Sequence, residues 1–290
     1  RRQRQMCIRD STSVISNNNR GVCRFFQFIK FIILRKVSKK NRAIGNHWRI
    51  FYYICTVITN NQVKIIRSLS TRKGRKTTGW FMAEGPKVVG DLQAAGFRPV
   101  AIYDEMEDVR RISQLQHPQG VVGVFEIPAG PRDGAGIDPS ELTLVLDGVQ
   151  DPGNLGTIIR VADWFGVGAI WCSPDTADCW NPKVIQATMG SIARVAIHYA
   201  PLVPLIDALD KDCPVYTTQL DGENIYETTL KPHGVIVMGN EGNGVTEEVR
   251  RRATRPLLIP NFPQGRTTAE SLNVAIATAL VLGEFRRRMF

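Results

Sequence analysis

The sequence predicts an α/β protein: a mostly parallel sheet with helices on both faces, preceded by a smaller α/β unit. Two observations carry this. Beyond residue 141, short apolar runs suited to buried strands (143–147, 168–172, 194–199, 214–218, 234–238 and 256–259) alternate with stretches of helical spacing (155–165, 181–189, 202–210, 246–252 and 271–287). Such alternation requires crossover helices and buries the strands on both faces. Upstream, residues 128–140 (PAGPRDGAGIDPS) hold three Pro and three Gly in thirteen positions. That stretch can continue neither a helix nor a central strand, so it reads as an interdomain linker. With 290 residues the chain has room for two domains.

Residues 1–59 differ in kind from the rest. They hold 13 Lys/Arg and one acidic residue, Asp10, a net of +12 against −2 for the remaining 231 residues. Bulk charge therefore argues for no polyanionic partner of the globular part; only local clusters can. Two apolar bursts, FFQFIKFIIL (25–34) and IFYYICTVI (50–58), reach ten residues at most, whereas a spanning helix needs about 20. No small-residue cleavage site follows at the distance a signal peptide needs. The segment reads as an appended extension, poorly structured or non-native. A basic membrane-surface segment is the rival reading.

From Asn61 the pattern becomes that of a folded unit, 60–127. A helix with Val63, Ile66 and Leu69 leads into a basic loop with Arg72, Lys73, Arg75 and Lys76, then a strand through Phe81 to Glu84-Gly85. The next helix carries Val88, Val89, Leu92 and Ala95 and stops at Gly96, a C′ glycine. Strands at 99–103 and 121–127 complete the unit. Four cations within five residues can touch several phosphates, giving salt-sensitive, sequence-blind affinity. A solvated loop that binds nothing is the plain rival, and Glu84-Gly85 reads as a structural turn.

In the larger unit, 141–290, three segments place polar groups at the carboxyl ends of strands, where parallel sheets bind ligands. The first, LVLDGVQDPGNLGTIIRVADWFG (144–166), runs from strand through the turn Asp151-Pro152-Gly153-Asn154 into an amphipathic helix. Asn154 and Arg160 lie about 600° apart on a helix, so they share a site only if Asn154 sits in the turn. Capping the helix is Asn154's plain role. Arg160, among Ile158, Ile159, Val161 and Ala162, either pairs with a carboxylate such as Asp163 or Glu241, or faces a ligand phosphate. The second, VIVMGNEGNGV (235–245), has three glycines that permit close backbone approach. It has neither the GxGxxG order nor the GK[ST] of the nucleotide-binding loops. The third, LLIPNFPQGRTTAESLNVAIATAL (257–280), ends in a helix for which Ser271 is a credible N-cap. That helix closes with Arg286-Arg287-Arg288, which the helix dipole explains.

Together, and in this order, the three segments resemble the signature motifs of the SpoU family of RNA ribose 2′-O-methyltransferases, within the SPOUT superfamily. The resemblance implies S-adenosyl-L-methionine as cofactor, held by Leu220, Gly239, Asn240, Gly244, Ile259 and Leu272. It implies a reaction site of Asn154, Arg160, Glu241, Ser271 and Asn273, and RNA contact through Arg72, Lys73, Arg75 and Lys76 in a small N-terminal recognition domain. It further implies a trefoil-knotted catalytic domain, a homodimer, and a normal start near Asn60. Arginine keeps its proton at neutral pH, so Arg160 suits a phosphate clamp and stabiliser of alkoxide charge better than a base. The expected substrate is transfer or ribosomal RNA, since the 2′-hydroxyl marks RNA.

Six scattered cysteines form no CxxC pair and have no histidine at ligand spacing. No metal is expected, no membrane partner either, and reduced cysteines fit a cytoplasmic protein. Two other readings remain open: a non-catalytic RNA-binding relative of the same fold, and a SPOUT enzyme that methylates a base.

Overall fold

The computed structural model describes residues 58–128, 136–263, 269 and 271–289. The extension through residue 57, linker residues 129–135 and the loop 264–268 lie outside the described residues.

The smaller unit comprises α1 (Asn60–Ser68), α2 (Arg72–Thr78), β1 (Trp80–Glu84), α3 (Pro86–Ala94), β2 (Pro99–Tyr103), α4 (Met106–Ile112) and β3 (Val122–Glu126). Its antiparallel sheet has the order β1-β3-β2. Alternation sends Met82, Val122 and Val124 to one face, against Ile66 and Leu69 beside α1 and Val109 and Ile112 of α4. Phe81 and Phe125 take the other face, with Val88, Val89 and Leu92 of α3. Two elements depart from the sequence expectation. The basic stretch 72–78 is a helix, because Thr71 accepts from Gly74 N at 3.0 Å to cap its start and Gly79 at φ 71° ends it. Helix α4 has no counterpart in the sequence expectation. The Glu84 carboxylate, at the end of β1, accepts from the Ser113 hydroxyl and from Gln114 N and so holds the segment after α4.

The larger unit runs β4 (Leu142–Leu146), α5 (Pro152–Trp164), β5 (Ala169–Cys172), α6 (Pro182–Ala187), β6 (Ala196–Tyr199), α7 (Leu202–Asp207), β7 (Val215–Asn224), β8 (Gly234–Met238), α8 (Glu247–Arg250), β9 (Arg255–Leu258) and α9 (Val274–Arg287). All its strand pairings are parallel, in the order β6-β5-β4-β8-β7-β9. The expected strands and helices are present to within a few residues. The largest difference is β7, which continues past a register shift between Thr218 and Glu223 to pair again with β9. Leu144, Leu146, Ile236 and Met238 pack with Leu155, Ile158 and Ile159 of α5 and Val281, Leu282 and Phe285 of α9. Val145, Val235 and Val237 face the opposite way, with Leu202 and Ile206 of α7 and Val249 of α8. Each fully buried aliphatic side chain here contributes about 1.5–3 kcal/mol.

The two units share one apolar core: Phe81 and Phe125 belong to the same buried cluster as Leu144 and Ile158. Trp180 of the larger unit lies on Phe81 with ring centroids 4.6 Å apart. The chain fills the β5 and β6 side of β4 first, then crosses to build β7, β8 and β9. The crevice beyond the carboxyl ends of β4 and β8 is therefore the point where strand order reverses, the place a ligand binds in such sheets.

Candidate active site

The loops after β4 and β8 brace each other. Asp147, 5% exposed at the end of β4, accepts from Thr246 N at 2.7 Å. Asn240 donates from Nδ2 to Gly148 O at 2.7 Å, while its Oδ1 accepts from Gly242 N and Asn243 N at 2.9 and 3.0 Å. The backbones of Asn240 and Gly244 bond to each other in both directions. The Asn240 side chain thus braces its own loop and ties it to the loop after β4. Gly239 is required by close approach: a Cβ there would stand 2.2 Å from Gly244 C and 2.3 Å from Val245 N. Sequence reasoning missed Asp147. A lone carboxylate closing an apolar strand was the available signal.

Helix α5 is capped by Asp151, whose Oδ1 accepts from Asn154 N at 2.7 Å, with Pro152 at the first helical position. Asn154 is therefore not the cap. Sitting one turn in, it donates from Nδ2 to Glu241 Oε1 at 2.9 Å, and its Oδ1 accepts from Asn273 Nδ2 at 2.9 Å. Asn273 is in turn the N-cap of α9, accepting from Ala275 N and Ile276 N at 3.0 and 3.3 Å. This corrects the expectation that Ser271 caps the last helix, which starts at Val274. Ser271 is exposed and joins none of these bonds.

One residue from each of the three motifs thus forms the line Glu241–Asn154–Asn273. Arg160 is exposed and pairs with neither expected carboxylate. Asp163 is taken by Arg194 at 2.7 Å, which holds the Asp163 carboxyl below its ordinary range, and Glu241 is engaged with Asn154. Arg160 makes no hydrogen bond or ion pair among the described residues; Asn154 lies in the helix and not in the turn before it, so Arg160, six residues on, falls on a different face.

Of the residues expected to hold the cofactor, Gly239, Asn240 and Gly244 follow β8. Leu220, 79% exposed, lies in the β7 stretch that leaves the pairing, and Leu272, 51% exposed, precedes α9. Ile259 follows β9 and is half-buried.

In the basic cluster, Arg72, Lys73 and Lys76 are exposed on α2. Arg75 is not: it is 3% exposed and paired with Asp178 at 2.6 Å, which removes it from the phosphate-facing set. The Arg286–Arg288 run has more specific work than a dipole. Arg286 bonds Phe165 O and Gly166 O, Arg287 and Arg288 bond Glu284, and Arg288 also reaches Ile225 O.

The SpoU rRNA methylase family matches residues 141–283, and the MRM3-like substrate binding domain matches residues 60–108. The 23S rRNA (guanosine(2553)-2′-O)-methyltransferase RlmP of Bacillus subtilis is 30% identical over 248 residues, 78% of this chain and 96% of that protein. The 23S rRNA (guanosine-2′-O-)-methyltransferase RlmB of Neisseria meningitidis is also 30% identical, over 68% of this chain and 80% of its own length. An AdoMet-bound rRNA methyltransferase from Sinorhizobium meliloti superposes with a TM-score of 0.73 at 33% identity, covering 81% of this chain and 97% of that one. The chain belongs to the SpoU rRNA methylase family.

Proposed function

We propose that this chain transfers a methyl group from S-adenosylmethionine to a ribose 2′-hydroxyl of structured RNA, ribosomal or transfer. The observation that carries the reading is the line Glu241–Asn154–Asn273, which joins one residue from each of the three motifs; Arg160 is exposed further along α5. S-adenosylmethionine supplies an already activated methyl group, so the protein's task is alignment and removal of one proton. Arg160 grips the phosphate beside the target ribose and stabilises negative charge developing on the 2′-oxygen. Asn154, fixed in orientation by its two neighbours, sets the ribose and Ser271 adds a hydroxyl from the α9 side. Leu220, Gly239, Asn240, Gly244, Ile259 and Leu272 hold the cofactor, with Asn240 acting as the brace of its loop. Arg72, Lys73 and Lys76 hold RNA phosphates.

The reading includes a trefoil knot, supported by the resemblance of the three motifs, and a homodimer. Support for the dimer is the exposed apolar face of Ile276 and Leu280 on α9, with Trp164 at the end of α5, 85% exposed. Among the described residues no helix is long and apolar enough to cross a membrane. Cys172, Cys179 and Cys213 are free and buried, which suits a reducing compartment such as the cytoplasm.

The deciding experiment is methyl transfer from labelled S-adenosylmethionine to unmodified bulk RNA, followed by digestion to nucleosides. Label in a 2′-O-methyl nucleoside, lost in Arg160→Ala, is the expected result. Label on a base would replace ribose chemistry with base methylation. Cofactor binding with no transfer to any RNA would point to a non-catalytic binder.

A further inference from the structure

Arg75 belongs to the basic cluster in sequence but not to its surface. Its Nε and Nη2 both donate to Asp178 Oδ2, at 3.0 and 2.6 Å, and its Nη1 donates to Leu69 O at 2.7 Å. Asp178 lies in the larger unit between β5 and α6, and it is itself held. Its Oδ1 accepts from Trp180 N at 3.0 Å, and the adjoining Cys179 N donates to the Tyr199 hydroxyl of β6 at 2.8 Å. Asn181 then caps α6. Helix α6 lies so close to α5 that a Cβ on Gly156 would stand 2.4 Å from Ala187 Cβ. Gly156 is two residues past Asn154. Close contacts therefore run without a break from the cationic helix α2 to the residue that joins Glu241 and Asn273.

Resting on the function proposed above, the geometry points to Arg75 and Asp178 as positioning residues. They form a strut that sets where the exposed Arg72, Lys73 and Lys76 stand relative to the Asn154 site. Three cations grip phosphate and the fourth orients them. Phosphate contacts alone are sequence-blind. Methyl transfer is not so tolerant, because misplacement by about 1 Å can cost about 100-fold in rate. A guanidinium fork holds direction as well as distance, which a lysine does not. Two further bonds join the units in the same sense: Lys87 Nζ to Met189 O at 3.0 Å and Arg194 to Asp91 at 3.5 Å.

The test uses the full chain, an unmodified large-subunit rRNA transcript and three readouts: salt dependence of binding, single-turnover methyl transfer at saturating RNA, and amide hydrogen exchange. Lys73→Ala and Lys76→Ala should each reduce the slope of log affinity against log salt by about 0.7–0.9. Asp178→Asn should leave that slope unchanged, slow methyl transfer at saturating RNA at least about tenfold, and raise exchange in α6 and the first turn of α5. Arg75→Lys should recover part of the rate lost in Arg75→Gln. If Arg75→Gln fails to fold, Asp178→Asn decides alone. A salt slope lowered by Arg75→Gln as by Lys73→Ala would overturn the strut and make Arg75 a phosphate ligand. Methyl transfer unchanged in Asp178→Asn would overturn it as well. Should the parent chain methylate neither this transcript nor unmodified bulk RNA, the proposed function fails, and exchange still judges the strut: unchanged protection in Asp178→Asn would refute it.

Discussion

Asn154 donates its side-chain amide to Glu241 across 87 residues of chain, Nδ2 to Oε1 at 2.9 Å. Because the same amide's oxygen accepts from Asn273, the side chain can adopt only one of its two flipped orientations. Asp at 154 keeps the shape but cannot donate, and it sets a carboxylate against Glu241. Asn154→Asp should therefore lower single-turnover methyl transfer by about 100-fold while cofactor affinity changes little. A rate within threefold of the parent would show the bridge to be dispensable.

Gly239 has no room for a side chain. Alanine there would press on the backbone of Gly244 and Val245, and backbone cannot step aside as a flexible side chain can. Gly239→Ala should destabilise by about 1–3 kcal/mol and weaken S-adenosylmethionine binding, read by denaturant titration and calorimetry respectively. Tight binding in the variant would remove this loop from the cofactor site.

Glu284 is buried in α9 and held by Arg287 and Arg288, at 2.8 and 2.7 Å. Hydrogen bonds from Arg287, ahead of those from Arg288, hold its carboxyl down to about 2 from an ordinary 4.5. The folded value lies below the unfolded one, so this stabilisation is fully present above about pH 4.5 and fades as pH falls toward 2. Glu284→Gln should cost stability at pH 7, with the gap to the parent closing between pH 4.5 and 2. Urea midpoints measured across that range would expose a gap that fails to close.

Arg286 ties α9 to the two carbonyls just past the end of α5, donating to Phe165 O at 2.7 Å and Gly166 O at 3.0 Å. Its removal leaves two carbonyls without a charged donor, each such bond being worth about 1.5–3 kcal/mol. Arg286→Ala should lower the melting temperature and leave the salt slope of RNA binding alone. A slope reduced by about 0.9 would instead assign Arg286 to phosphate.

Ile276, 53% exposed, and Leu280, 41% exposed, stand one turn apart on α9. Charges placed there should break a homodimer built on that face. Sedimentation of Ile276→Asp/Leu280→Asp is expected at the monomer mass of 32.4 kDa, with the parent near twice that. A parent already at monomer mass would end the dimer reading.

Much of the fold was legible because it follows from local pattern. Apolar runs ending in polar turns marked β4, β5 and β8, and helical spacing marked α5 and α9. The three motifs sit at strand ends, so their convergence on one crevice followed from a parallel sheet alone. Where two good caps compete, the pattern was insufficient. Asp151 prevails over Asn154 because Pro152 takes the first helical position, and Asn273 prevails over Ser271, each side chain lying within reach of the amides it caps. Helix α2 read as a loop because four cations and a glycine resemble a solvated turn until Arg75 is seen paired with a residue 103 positions away.

By itself, then, the sequence determined the alternating strands and helices, the glycine-cleared loops and the set of polar residues at the strand ends. Those depend on periodicity and backbone freedom, which act over a few residues. Only the tertiary structure decided which of those side chains are partnered: Asn154 between Glu241 and Asn273, Arg75 against Asp178, and Arg160 left exposed. Hydrogen bonds and ion pairs depend on separations of about 3 Å, and only the packing of distant segments sets those.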